Sequence, residues 1–263
     1  MEKIVVCIKQ VPDTMEVKID PETNRIVREG VPGIINPYDF YAMETGLRLK
    51  EKYGGQAVVC SMGPPQAESA LREALSLGFD QAFLLSDREF AGSDTLATSY
   101  TLAVLIGKLL PVDIVVCGRE AMDGSTGQVG PEISENLGWP FFSYVSEIKE
   151  IYDGKIKVRR MMEDHYEELE GPLPAVITVI KEIAEPRLPS LKGMLKAKKA
   201  EITILNREGL GGEAKRFGAS GSPTRVMRVW TPEIHKKGMM LEGEPAEIAQ
   251  RLYEELKKQN ILM

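Results

Sequence analysis

The residues best suited to chemistry in this sequence lie in one stretch, CGREAMDGSTGQVGPEISENLG, residues 117–138, where glycines and small hydroxyls separate an apolar run from a helical pattern. Gly124, Gly127 and Gly130 let the backbone approach a ligand closely, while Ser125, Thr126 and Gln128 can cap a helix and offer donors. Backbone amides at a helix start, assisted by its dipole, favour a phosphate or pyrophosphate; the alternative is an ordinary glycine-rich strand-to-helix turn. Neither GxxxxGK[ST] nor GxGxxG is present, so the stretch is not a P-loop or the dinucleotide fingerprint. A second constellation is GIINPYDFYAMETGLRLKEK, residues 33–52. Asn36 can cap the helix that Pro37 begins, and Asp39 then lies in its first turn, where a carboxylate complements the positive end. The same amide and carboxylate could instead read the edge of a base or ribose. Tyr38 and Phe40 are core aromatics or ring contacts, the core being the simpler reading.

Other reactive types carry less. Cys7, Cys60 and Cys117 occupy matching positions in IVVC, AVVC and IVVC. They read as small, soft apolar residues where strands crowd rather than as a thiol cluster, and no nucleophilic role is assigned to them. The two histidines, His165 and His235, sit in polar segments far apart. With no Ser/His/Asp triad, no HExxH and no paired acid and base, hydrolytic catalysis is disfavoured.

These residues need a scaffold, and the hydrophobic pattern supplies one. Four apolar, β-branched runs at residues 3–11, 56–63, 81–87 and 113–118 alternate with helical spacing over residues 38–52, 65–77 and 94–110. Near-continuous apolar strands separated by helices imply an α/β fold: an open, mostly parallel sheet covered on both faces, with right-handed crossovers. Pro37 and Pro65 suit first-turn positions, Asp94 can cap the third helix through Ala97, and Gly54 and Gly78 suit helix ends. In such sheets ligands bind beyond the carboxyl ends of the strands, where strand order reverses. After Gly138 the pattern changes to period two around Asp153 and Gly154, the strongest hairpin signal in the chain, and predicts an antiparallel addition to the sheet. The acidic EDHYEELEG reads as its solvated rim. Beyond Glu185, prolines, glycines and lysines predict an exposed excursion with one short strand, EITIL, and a glycine-rich connection over 209–221 suited to domain motion. The lysine run KAKK is solvated or docks an acidic partner. A final amphipathic helix places Ala246, Ile248, Ala249, Leu252 and Leu256 on one side, suited to packing outside its own domain.

The chain has 263 residues and a net charge of −6 with both signs interspersed, which argues against a nucleic-acid binder. Three cysteines without CxxC or Cys/His spacing favour a reducing, cytoplasmic setting without a metal. No segment reaches the ~20 apolar residues of a membrane span, and MEKIVVCIKQ lacks the features of a signal peptide.

Taken together, CIKQVPD, INPYDFYAMETGLRLKE, SMGPPQAESALREALSLGFDQAFLL, GREAMDGSTGQVGPEISENLGWP, LPAVITV and EPRLPSLKGMLKAKK resemble, in this order, the β subunit of electron-transfer flavoproteins, including the Fix-type flavoproteins. The resemblance runs over residues 3–199. It implies a Rossmann-like, adenine nucleotide alpha hydrolase-like fold, with an α/β nucleotide- or flavin-binding domain over 1–184, a partner-recognition loop and extended arm over 185–230, and a C-terminal helical segment over 231–263 packing on the partner subunit. It also implies a heterodimer with an α subunit, an interface flavin bound mainly by α, and a nucleotide within β: AMP in ordinary members, a second FAD in electron-bifurcating ones. By position, Cys7, Asn36, Pro37, Tyr38, Asp39, Met62 and Gly63 would surround that nucleotide, together with Asp123, Gly124, Ser125, Thr126, Gly127, Gln128, Val129 and Gly130. Residues 62–65 and the helix start at Asp94 and Thr95 would line access for a nicotinamide. Residues 189–196 resemble the partner-recognition loop, with Pro189, Leu191, Met194 and Lys196, and Leu191 as the anchor gripped by a dehydrogenase or quinone oxidoreductase. VPDTMEVKID and DGSTGQVGPEISENLG resemble the bifurcating and Fix-type members, which favours FAD over AMP, NADH as donor, and ferredoxin or flavodoxin as one acceptor beside a higher-potential one. An AMP-type, non-bifurcating flavoprotein is the nearest alternative. An adenine-nucleotide sensor would leave EPRLPSLKGMLKAKK unexplained, and a nucleotidyl transferase would need SGGxDS or HxGH, which CIKQVPD does not supply.

Overall fold

The computed structural model describes residues 1–13, 33–227 and 238–262. They fall into two compact units, Met1–Met227 and Arg228–Met263. VPDTMEVKID, apart from its first three residues, and His235 lie outside the described residues.

The first unit is built on β1 (Lys3–Cys7), β2 (Gln10–Pro12), β3 (Gly33–Ile35), α1 (Pro37–Tyr53), β4 (Gln56–Met62), α2 (Glu68–Leu77), β5 (Gln81–Leu85), α3 (Thr95–Lys108), β6 (Ile114–Gly118) and α4 (Val129–Leu137). There follow β7 (Phe141–Tyr152), β8 (Lys155–Met161), β9 (Tyr166–Pro172), β10 (Ala175–Val179), α5 (Leu191–Lys199), β11 (Thr203–Leu205) and α6 (Arg207–Leu210). A nine-stranded sheet runs β11-β5-β4-β1-β6-β10-β7-β8-β9. The pairs from β11 through β7 are parallel, and β8 and β9 are antiparallel additions. A separate antiparallel pair joins β2 to β3.

The central strands are buried on both faces, as their unbroken β-branched composition requires. Alternation divides the side chains: Ile4 and Val6 join the layer under α1 and α2, with Met43, Leu47 and Leu71, whereas Val5 and Cys7 join the layer under α3 and α4, with Leu105, Ile106 and Ile133. Capping follows the expected chemistry at most ends. Asp94 Oδ1 accepts the Ala97 amide at 3.1 Å, Pro37 opens α1, Pro65 opens the short 3₁₀ turn Pro65–Ala67 ahead of α2, and Gly54 and Gly78 close α1 and α2. Asp153 and Gly154 both have positive φ, 46° and 70°, as a two-residue hairpin turn demands.

Two expectations are corrected. The period-two region after Gly138 is not all antiparallel. Its last strand, β10, is wholly buried and inserts between β6 and β7, parallel to both, because its continuous apolar run AVITV cannot sit at a half-solvated edge. The segment after Glu185 is not simply exposed. β11 extends the sheet beside β5, Leu210 is buried, and Phe217 packs between Phe90 and Tyr100 with ring centroids 5.5 and 5.2 Å away. The glycine-rich connection over 209–221 is therefore anchored by two apolar side chains that composition averages hide. Among the described residues, no helix is long and apolar enough to cross a membrane.

In the second unit, α7 (Pro245–Lys258) is amphipathic as expected and buries no side chain within its own unit; Leu252 is 47 % exposed.

Candidate functional site

The sheet reverses its winding between β1 and β6: the chain adds β4 and β5 on one side of β1, then returns to place β6 on the other. A crevice must open beyond the carboxyl ends of these two strands, because their connections leave in opposite directions. Cys7, Ile8 and Lys9 leave β1 there, and Gly118 closes β6.

Beneath the crevice the structure brings the Asn36 and Asp39 side chains together, both nearly inaccessible. Asp39 Oδ2 accepts the Lys9 amide at 2.7 Å, and Asp39 Oδ1 accepts Asn36 Nδ2 at 3.0 Å. Asn36 Nδ2 also donates to the Glu120 carbonyl at 2.8 Å, while its Oδ1 accepts the Met122 amide at 3.0 Å. Asn36 thus stands at the start of α1 without capping it by its side chain. The loop after β6 comes close enough to compete for the amide, and its part-buried Glu120 carbonyl and Met122 amide pair with it. Burial raises the Asp39 pKa to about 7, against the opposing pull of the Lys9 amide, Asn36 and the Lys9 charge. A Cβ at Gly118 would overlap the Asp39 carboxylate and the Tyr38 backbone, so only glycine lets the end of β6 approach α1 this closely.

Above this floor lies the glycine turn. Ser125 (φ 49°) and Gly127 (φ 63°) are left-handed, and Gly124 and Ser125 fold their amides back onto the Ala121 carbonyl at 3.2 and 2.7 Å. Among the described residues, the amides of Thr126, Gly127, Gln128, Val129 and Gly130 donate to no protein acceptor; the α4 ladder begins with Glu132 on the Gln128 carbonyl. Gln128 occupies the N-cap position but its side chain does not cap, so the helix start stays open. A Cβ on Gly130 would come within 2.5 Å of Thr178, which shows how tightly α4 is pressed onto β10. Five consecutive unpaired amides at a helix N-terminus fit a phosphate or pyrophosphate.

Three groups that the sequence did not single out as ligand-site residues complete the site. Lys9 Nζ reaches Asp123 at 2.6 Å, tying the end of β1 to the turn. Arg119 lies over the Tyr38 ring at 4.9 Å and pairs with Glu120, so Tyr38 is a surface platform while Phe40 packs on the core. Glu132 receives the Thr95 hydroxyl at 3.0 Å, and that hydroxyl lies 3.1 Å from Gln128 Oε1, which joins the start of α3 to the turn. Lys9 was visible as a cation following a strand end; Glu132 carried no signal beyond its position on α4.

The remaining candidates fall around this centre or away from it. Met62 and Gly63 end β4, one strand across from β1, with the Gly63 amide on the Leu85 carbonyl at 3.0 Å. The Cys7 and Cys60 sulfurs approach to 3.6 Å beneath the crevice, all three cysteines are free and buried, and the Cys117 thiol is pushed up by its contact with Cys7 and by burial. Asp94 caps α3 and also accepts the Thr224 amide at 3.0 Å. Leu191, Met194 and Lys196 are exposed on α5, with Pro189 just before it, well separated in sequence from the crevice. There Leu188 and Leu195 extend the apolar surface, which sequence reasoning had not included. Arg187 anchors this segment to α1, 2.7 Å from Glu44, and Arg72 holds the end of α5 through the Ala197 carbonyl at 2.7 Å.

Residues 23–209 match the electron transfer flavoprotein domain. The chain is 48 % identical over 260 residues to an electron transfer flavoprotein subunit beta from Thermoanaerobacterium thermosaccharolyticum, covering 98 % of this chain and 99 % of the relative. It is 47 % identical to the caffeyl-CoA reductase-Etf complex subunit CarD of Acetobacterium woodii, over 99 % of this chain and 100 % of that one. It is also 43 % identical to protein FixA of Azotobacter vinelandii, over 94 % and 91 %.

Proposed function

The chain belongs to the electron transfer flavoprotein family, with the β subunits and their FixA counterparts, and on that premise we propose that it pairs with an α subunit and holds FAD in the crevice between β1 and β6. The carrying observation is the run of five unpaired amides over residues 126–130 beside Lys9, a cradle suited to a pyrophosphate. The likeness of DGSTGQVGPEISENLG to the bifurcating members supports FAD rather than AMP at this position.

The chain's own residues then have distinct tasks. The amides of 126–130 bind the phosphates, with Lys9 as the nearby cation. Asn36 and Asp39 hold the floor, and residues 62–65 with Asp94 and Thr95 flank the approach for NADH. FAD, when bound, would supply the conversion of hydride transfer into single-electron steps, one electron passing to ferredoxin or flavodoxin and the other through α to a higher-potential acceptor. The exposed leucines at 188, 191 and 195, with Met194, form the apolar surface for a dehydrogenase or quinone oxidoreductase. Three free cysteines suit a cytoplasmic setting.

The deciding experiment is the FAD and AMP content of the heterodimer purified with its α subunit and supplied with free FAD. Two FAD and no AMP are expected, with NADH reducing the flavin. One FAD plus one AMP would overturn bifurcation and make the protein an AMP-type carrier.

A further inference from the structure

The floor of the crevice contains a carboxylate that the protein itself occupies almost completely. Asp39 is 5 % exposed, one oxygen takes the Lys9 amide, and the other takes Asn36 Nδ2. Little of it is left for a ligand to touch. Its influence runs outward along two routes. Asn36 Nδ2 uses one hydrogen on Asp39 and one on the Glu120 carbonyl, and Oδ1 takes the Met122 amide; Asp39 therefore reinforces the orientation of the amide that holds the loop entering the cradle. On the other side, Lys9, whose backbone the same carboxylate holds, sends its ammonium to Asp123, where the cradle begins.

We propose that Asp39 is the positioning residue of the cradle: as the anion it sets the Asn36 amide and the Lys9 backbone, and these hold residues 120–123 so that the following amides converge on one phosphate group. The ligand in this statement rests on the function proposed above, whereas the clamp is a property of the chain alone. A proton on either Asp39 oxygen would oppose a donor, Lys9 N–H on one side or Asn36 Nδ2 on the other, and one of the two routes would be lost. Asp39→Asn has the same consequence at every pH, since it offers one oxygen to two donors.

The charged and titratable groups around Asp39 leave it as the one that switches. From β1 come Lys9, already paired with Asp123, and the Cys7 thiol. Contact with Cys117 lowers the Cys7 pKa, but the Cys60 contact and burial outweigh it and keep the thiol neutral. From β6 and its loop come the Cys117 thiol, also pushed up, and the mutually paired Arg119 and Glu120; α1 contributes Tyr38, which faces Arg119. Burial places the Asp39 transition near neutrality, at about 7.

The test uses the full heterodimer and two readouts: hydrogen–deuterium exchange of peptides covering residues 118–123, corrected for intrinsic rates, and the dissociation constant of FAD or AMP, whichever the purified protein carries. In the wild type, protection and affinity should both be about tenfold weaker near pH 5.5 than near pH 8.5. Asp39→Asn should sit at the weak level at both pH values, with no profile of its own. Asn36→Ser, which keeps the carboxylate but removes the relay, should also lack protection at both, and it decides the matter if Asp39→Asn does not fold. A wild-type protection that is unchanged across this range, or a profile shared with Asp39→Asn, overturns the proposal. Binding of neither nucleotide would overturn the functional reading, while the exchange comparison still decides the clamp.

Discussion

The outer strands β8 and β9 carry several ion pairs, whereas the floor between β1 and β6 depends on a single carboxylate, and the two regions use charge in opposite ways. On the rim, Arg160 meets Glu167 at 2.6 Å, Lys155 meets Glu170 at 2.8 Å and Lys157 meets Glu168 at 3.4 Å, all with partly exposed side chains. Each such pair contributes little to stability, because water competes for both partners and salt screens them. Their value lies in the edge: a charged, solvated outer strand is a poor template for another strand. On the floor, water is excluded, and each donor around Asp39 has nowhere else to turn. Surroundings, rather than the number of charges, decide what a charge does here.

The largest effect that would sharpen this contrast comes from pH. Because the folded-state pKa of Asp39, about 7, lies above its unfolded value, the folded protein binds the extra proton. The stability that Asp39 contributes is fully present below pH ~4 and is lost as pH rises through 7, by at most about 1.4 kcal/mol per pH unit. Denaturant titrations of the wild type and Asp39→Asn should therefore diverge over this window, the variant lacking that slope. Parallel curves would mean that the carboxylate titrates as if exposed. Ionisation would thus weaken the fold in the range where it orders the cradle, a trade between stability and function.

A steric break of the same floor should come next. Gly118→Ala drives a methyl into the Asp39 carboxylate and the Tyr38 backbone, and about 1–3 kcal/mol of stability should be lost together with bound nucleotide. An unchanged melting temperature would show that β6 can move away from α1 freely. Glu44→Ala probes a site intermediate between floor and rim: Glu44 is buried, but its partner Arg187 is partly exposed and keeps Glu51. Glu44 is held below the usual carboxylate range, burial notwithstanding, by its bonds to Arg187 and Arg48. About 1–2 kcal/mol should be lost, with faster proteolysis near residue 187, less than for a fully buried pair. At the rim, Lys155→Ala should leave the denaturant midpoint essentially unchanged, and any effect should vanish in high salt.

Legibility followed the range of the interactions. Strands and helices of the parallel core were readable because apolar period and β-branched content are local, and the helix ends at Pro37, Asp94 and Gly78 because caps act within one turn. The glycine turn was readable as a backbone that must approach something. By contrast, Asn36 looked like a cap because its position allows one, and only the arrival of residues 120–122 from 84 or more positions away gave its amide better partners. The pairing of Lys9 with Asp123, 114 residues apart, had no local signature.

What the sequence determined by itself is the alternation of elements, the parallel sheet, the hairpin at Asp153 and Gly154 and the glycine turn after β6, all consequences of side-chain periodicity and of backbone freedom at single residues. The tertiary structure alone decided that β10 inserts between β6 and β7, that β11 and Phe217 tie the later segment to the core, and that the Asp39 carboxylate accepts the Lys9 amide and Asn36 Nδ2. The reason is physical: strand order and buried hydrogen bonds are settled by which distant groups compete for the same space, and that competition exists only once the chain has closed on itself.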